Sequence, residues 1–140
     1  VRDSAIITIP SHPKYLSIVR AVTGKMAELS GMAESAIEDV KLAVDEACSN
    51  VIKHAYKGNV NQKIVLRFKT SPKGFEVIIE DNGLKVHPES LVGRDLEDIK
   101  PGGLGIHFIK KVFDIFALDE KKKKGNRLRL LRYMKGKDGD

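Results

Sequence analysis

The stretch from Asp39 to Lys57, DVKLAVDEACSNVIKHAYK, constrains this chain more than any other. Ile37, Val40, Val44, Ala47, Val51 and Ala55 recur at the spacing of a buried stripe. That pattern predicts one long helix with a core-facing side. Beside the stripe runs a second line: Glu46, Asn50 and His54, each four residues after the last. Four residues advance a helix by slightly more than one turn, so the three side chains share an edge. A carboxylate, an amide and an imidazole bordering a core stripe suit a site. The carboxylate can take a proton from a nucleophile, and the amide oxygen can hold a hard metal ion.

The rest of the composition narrows the class. A chain of 140 residues fits one domain around one core. Hydrophobic residues make up 41% and charged residues 31%, which fits neither a disordered nor a membrane-spanning chain. No apolar run approaches bilayer length and no secretory signal is visible, so a cytoplasmic protein without membrane attachment is expected. Cys48 is the single cysteine; it excludes an internal disulfide, fits a reducing cytosol and reads as a small packing residue. No Cys/His cluster has zinc spacing.

The net charge of +6 admits nucleic acid, an acidic protein or an anionic ligand as partner. The densest basic run, Lys121 to Lys124, precedes Gly125-Asn126 between two apolar stretches and reads as a solvated hairpin turn. With no recognition helix, zinc finger or basic-aromatic strand, direct nucleic-acid binding is not expected.

Along the chain, Ala5 to Ile9 reads as a short strand ending at Pro10. Pro13 opens a first helix whose stripe is Tyr15, Ile18, Val19, Val22, Met26 and Leu29, ended by Gly31. Ser35 and Glu38 have capping-box spacing near the start of the central helix, which begins there or a few residues earlier, and Gly58-Asn59 ends it. Ile64, Leu66 and Phe68, then Phe75, Val77 and Ile79, alternate with polar or outward positions, with Ser71 to Gly74 as the turn of an antiparallel hairpin. Leu84 to Lys100 has no periodicity. A third helix follows, with Ile106, Ile109, Val112 and Phe113 facing the core, then strands Ile115 to Leu118 and Leu128 to Tyr133. Lys135 to Asp140 is a polar tail. This order predicts an α+β two-layer sandwich: a mostly antiparallel mixed sheet with three helices on one face.

Two short motifs flank the long loop. Gly102, Gly103 and Gly105 open a helix, where close backbone approach and free N–H groups favour a phosphate, though a plain loop-to-helix joint has the same composition. Neither a Walker A nor a Rossmann pattern is completed. Asp81-Asn82-Gly83 ends a strand and reads either as a turn or as an acceptor for an exocyclic amine, with Gly83 leaving room for a flat base.

The combination of E-x-x-x-N-x-x-x-H on a helix, Asp-x-Gly at a strand end, a polar loop and a Gly-rich helix start resembles the GHKL (Bergerat-fold) ATPase superfamily. The wording VDEACSNVIKHAYKG and GGLGIHFIKKVFD is similar to its RsbW-type branch, bacterial anti-sigma factors that are also serine-protein kinases. The resemblance spans Ile6 to Tyr133. It implies ATP and Mg²⁺ as cofactors, Glu46 as general base and Asn50 as the Mg²⁺ ligand. It implies Asp81 as acceptor for the adenine amine with Gly83 beside the ring, residues 84–101 as an ATP lid, and backbone N–H groups of Gly103, Leu104 and Gly105, after Gly102, on the phosphates. Asn126 falls at a polar position near the adenine side. Asp45, Lys53 and His54 are weaker candidates; His54 either braces the helix or touches ligand. Arg94, the loop's only arginine, suits the terminal phosphate.

The implied partners are a sigma factor and an anti-anti-sigma antagonist phosphorylated on serine, with homodimer formation expected from relatives. Two positions depart from the family pattern. Leu84-Lys85 follows Gly83 where many relatives have a second glycine, and Pro101 stands where many have the first glycine of the second box. Both fall at the lid hinges, so an ATP-binding regulatory module without kinase activity is one alternative. A sensor histidine kinase catalytic domain is the other.

Overall fold

The structure is a computed structural model that describes residues 3–87 and 103–134. Strand β1 (Ser4–Pro10) leads through a 3-10 turn at Pro13–Tyr15 into helix α1 (Leu16–Leu29). Helix α2 (Glu34–Asn50) continues into a π-helical turn at Val51–Ala55. Then come β2 (Lys63–Ser71), β3 (Gly74–Asp81), α3 (Gly103–Val112), β4 (Ile115–Leu118) and β5 (Asn126–Tyr133). The five strands form one sheet in the order β1-β2-β3-β5-β4. Every pairing among the described residues is antiparallel, so the expected α+β layering holds while no parallel pair joins the sheet.

Alternation in the strands sets the two faces. Ile64, Leu66 and Phe68 of β2 and Val77 and Ile79 of β3 are fully or nearly fully buried, and they meet Val19, Val40 and Val44 from the helices. The opposite face carries ion pairs between neighbouring strands. Glu80 receives Arg67 Nε at 2.8 Å and Arg127 Nη2 at 3.2 Å, and Glu76 pairs with Arg129. Burial works against charge on Glu80, but the two arginines outweigh it and hold its carboxyl below the ordinary range. Arg132 lies on the buried side instead and donates from Nη1 to Val112 O at 2.8 Å, capping the C-terminus of α3 with a cation.

Several sequence expectations need correction. In α1 the buried positions are Leu16, Val19, Thr23 and Ala27; Ile18 is 46% exposed and Leu29 is 69% exposed. Val19 of the expected stripe is fully buried and Tyr15, Val22 and Met26 pack against the core, so the stripe holds there and fails at Ile18 and Leu29. The Ser35/Glu38 capping box does not form. Ala33 is the N-cap, with extended backbone and no side-chain cap, and Glu34 occupies the first turn. Met32 and Ile37 hold that start on the core, in the N′ and N4 positions of a hydrophobic staple. Finally, β5 begins at Asn126, two residues before the expected Leu128.

The central helix ends in the feature that places the site. Tyr56 N–H donates to Val51 O at 2.9 Å, an i to i−5 bond that widens the last turn. The phenol of the buried Tyr56 then donates to Lys63 O and accepts from Asn82 N–H at 2.9 Å. Ala55 O accepts from Leu84 N–H at 2.7 Å. The helix end is thereby bonded to the start of β2 and to the chain just past β3. Tyr56→Phe should lower stability by about 1–3 kcal/mol, because Asn82 N–H loses its partner in a partly buried place. Urea denaturation should show a lower midpoint with an unchanged slope; an unchanged midpoint would remove Tyr56 from this role.

Candidate functional site

A cavity of about 400 Å³ opens between the end of the central helix, the end of β3 and α3. Its apolar part includes Ile79, Ile109 and Leu128, and its polar part includes Asn50, Asp81 and Asn126. A mostly apolar slot with a few convergent polar groups is the form of a small-molecule site. His54, Lys57, Lys85, His87 and His107 also line it, while Asp81 is the one acid among its described lining residues. That imbalance suits a ligand with an apolar flat part and a negatively charged tail.

Asp81 is buried at the last position of β3. Its Oδ1 accepts from Gly83 N–H at 2.8 Å and from Asn126 Nδ2 at 3.0 Å, while Oδ2 has only a longer contact to Asn126 at 3.3 Å. The turn reading and the acceptor reading of Asp81-Asn82-Gly83 are therefore compatible. Oδ1 closes the turn, and Oδ2, with one contact at 3.3 Å, keeps acceptor capacity for a ligand. Burial raises the Asp81 carboxyl above its ordinary value, against the lowering effect of these donors and of Lys122.

Gly83 has a structural reason to lack a side chain, since a Cβ there would overlap the Ala55 carbonyl. Asn126, at the first position of β5, is buried and joins Asp81 across the sheet. Asn50 closes α2 and lines the cavity; its Nδ2 is buried with no partner. An orphaned N–H donor in such a place suits a ligand that brings an acceptor, such as a phosphate oxygen. The amide oxygen is a suitable ligand for Mg²⁺. Among the described residues no three His, Cys, Asp or Glu side chains gather as a metal cage, so a cation here would take its other ligands from phosphate and water. The donor set fits Mg²⁺ carried by a nucleotide.

Glu46 is half-buried one turn before Asn50, and its carboxylate lies against the Cα of Gly105 near the start of α3. A Cβ on Gly105 would overlap Glu46 Oε1 and crowd Cγ and Cδ. Gly103 and Leu104 supply the opening backbone of α3. His54 lies in the π turn, is exposed and lines the cavity, whereas Lys53 does not line it. Asp45 is engaged by Arg20 at 2.6 Å and joins α1 to α2. Arg94 and Gly102, most of the lid at 84–101, Pro101 and the tail at 135–140 lie outside the described residues. Cys48 is fully buried, and burial pushes its thiol far above the ordinary range, as befits a packing residue. Sequence reasoning missed Lys57, Lys85, His87 and His107 as site residues, because their convergence depends on how three separate segments meet.

A model of the histidine kinase-like ATPase domain matches residues 9–132. The chain belongs to that family. The serine-protein kinase RsbW of Listeria innocua is 33% identical over 122 residues, covering 81% of this chain and 78% of its own length. RsbW of Bacillus subtilis is 29% identical over 120 residues, covering 80% and 75%. A crystal structure of the RsbU and RsbW domains of Rv1364c from Mycobacterium tuberculosis superposes with a TM-score of 0.63 at 17% identity. It covers 91% of this chain and 30% of that longer one, and it supports the fold. The membership extends to the RsbW serine-protein kinases within the family, as the resemblance implied.

In this RsbW-type chain the contact between Glu46 and Gly105 is testable. Gly105→Ala keeps the backbone N–H but pushes the carboxylate away. Phosphoryl transfer to a protein acceptor should fall by roughly tenfold or more, the range in which loss of a positioned base is felt. ATP affinity should change far less. Calorimetry beside a transfer assay checks both, and equal loss in the two would mean that the glycine serves ligand binding instead.

Proposed function

We propose that this RsbW-type serine-protein kinase binds ATP with Mg²⁺ in the cavity and transfers the γ-phosphoryl group to a serine on an antagonist protein. The observation that carries the reading is a pair of polar groups lining one cavity: Asp81, whose Oδ2 receives a single contact at 3.3 Å, and Asn50, whose Nδ2 donor has no partner. Asp81 accepts the adenine amine while the apolar wall takes the ring. Asn50 holds Mg²⁺, which when bound neutralises phosphate charge and aligns the transferred group. The backbone of Gly103, Leu104 and Gly105 faces the phosphates at the start of α3. Lys57 adds a positive group to the lining, and His54 and His107 add imidazoles.

Glu46 takes the proton of the acceptor serine as its oxygen forms a bond to the γ-phosphorus. The bond from that phosphorus to the β,γ-bridging oxygen breaks, giving phosphoserine and ADP. The same protein sequesters a sigma factor in the cytoplasm, as a homodimer, and the antagonist releases it; nucleotide state and antagonist phosphorylation select the partner. Arg94 is proposed as a contact to the terminal phosphate. The family match and the curated relatives support the kinase over a module without turnover, and their name favours a serine acceptor over the histidine of a sensor kinase.

The experiment is a pair of substitutions. Glu46→Gln should retain ATP affinity within about threefold and lose at least a hundredfold in transfer, within the range general-base loss produces. Asp81→Asn should lose ATP affinity by on the order of tenfold or more, because a buried acceptor becomes partly a donor. Titration calorimetry and transfer of labelled phosphate separate the effects. Wild-type transfer by Glu46→Gln would defeat the base assignment, and no ATP binding by the parent protein would defeat the site.

A further inference from the structure

The chain just past β3 is a wall between two cavities. Lys85, Val86 and His87 line the cavity of about 400 Å³ on one side. They also line a second cavity of about 300 Å³, whose far side includes Leu118, Glu120 and Arg127. A wall with a cavity on each side has little packing to hold it. Polar bonds take that part. Asn126 Nδ2 donates to Leu84 O at 2.9 Å, and its Oδ1 accepts from Val86 N–H at 2.7 Å. The half-buried Lys85 supplies the other support. Its Nζ crosses to the loop between β4 and β5 and donates to Asp119 O at 3.4 Å and to Lys122 O.

The loop builds this seat by itself. Asp119 N–H donates to Arg127 O at 2.9 Å, Lys122 N–H to Asp119 O at 3.3 Å and Lys121 N–H to Asp119 Oδ1 at 2.9 Å. Arg127 Nη1 donates to Asp119 Oδ2 at 3.1 Å, and Gly125 turns the chain into β5 at a φ of +71°. None of these bonds uses Lys85, so the two carbonyls keep their places when its side chain is shortened. The run from Lys121 to Lys124 opposes a cation here, and the carboxylates of Asp119 and Glu120 favour one. The Asp119 carboxyl is held below its ordinary value by Lys121 N–H first, then by Arg127 and Lys85. Carbonyl oxygens of this kind replace the hydration shell of a large monovalent cation.

Lys85 stands where the family's Asp-x-Gly-x-Gly pattern has its second glycine. We propose that Lys85 is a positioning residue whose ammonium acts as a tethered monovalent cation. Seated on the Asp119 and Lys122 carbonyls, it braces the wall of the nucleotide cavity, and the same seat takes free ammonium or potassium once the tether is removed. The effect on ATP rests on the reading of the larger cavity as an ATP site, whereas the seat does not.

The test compares the whole chain with Lys85→Ala and Lys85→Met. Thermal melts without nucleotide, and ATP titration calorimetry with Mg²⁺, are run in tetramethylammonium chloride and then in ammonium, potassium or lithium chloride at equal ionic strength. The parent supplies the general effect of each salt. In tetramethylammonium chloride Lys85→Ala should melt several degrees below the parent and bind ATP about three- to tenfold more weakly, the cost of losing hydrogen bonds from a charged group. Ammonium and potassium should restore both. Lithium, smaller and more strongly hydrated, should not. Lys85→Met keeps the stem in the seat without its charge, so it should be weakened in every salt. A lysine that only packs through its stem leaves a deficit that no cation restores.

Lys85→Gly, the residue of the family pattern, carries the test if Lys85→Ala does not fold. Parent-like melting, parent-like ATP affinity, or a deficit equal in all four salts would overturn the inference and leave the ATP site standing. Failure of the parent protein to bind ATP would overturn that site and the bracing of it, and the melts would still decide the seat.

Discussion

The end of the central helix is bonded to the ends of two strands, and the geometry of the site depends on that junction. Ala55 O holds Leu84 N–H, and the Tyr56 phenol bridges Lys63 O and Asn82 N–H. These bonds satisfy backbone groups that would otherwise be left open where a helix and a strand stop in a partly buried place. They fix Asp81, on β3, relative to Asn50, at the end of α2, although the two come from different layers of the fold. The π turn contributes by widening the helix so that Tyr56 reaches back to Val51 O.

The glycines around the cavity have distinct reasons, and these reasons are spatial. Gly83 has the Ala55 carbonyl against it and Gly105 has the Glu46 carboxylate against it. Gly125, at a φ of +71°, turns the chain into β5 where a Cβ would overlap Asp81 O. Three close approaches thus surround the ends of β3 and α2. A carboxylate, a helix end and a strand end are brought to close contact by leaving out side chains. This kind of rigid seating is what a phosphoryl-transfer site requires, since catalysis there comes mainly from position and charge.

The layout of charge is consistent with this division of labour. The solvent face of the sheet pairs Arg67, Arg127 and Arg129 with Glu80 and Glu76, which uses up much of the local positive charge. Exposed pairs of this type contribute little to stability. The cavity mouth has lysine and histidine with a single acid among its described lining residues, so the potential there favours an anion. The overall charge of +6 did not reveal this, because it sums both surfaces.

Much of the fold was legible from local pattern. Period-two alternation in Ile64, Leu66 and Phe68 and helical recurrence in Val40, Val44 and Ala47 gave the two layers, because each periodicity demands one buried face. The candidate site residues stood out as well, since Glu46, Asn50 and Asp81 are unusual where they stand, and Asn50 and Asp81 line one cavity. The starts of elements were less so: the central helix is capped at Ala33, with Met32 and Ile37 against the core, and a 3-10 turn precedes α1. Only the tertiary structure could bring Asn126 to Asp81 across 45 positions, Lys85 to the β4–β5 loop across 34 and 37, and Gly105 to Glu46. Sequence fixes which groups can bond and which face is apolar. Which distant groups meet follows from the sheet order and from the helices packed on it, and neither is encoded in any local spacing.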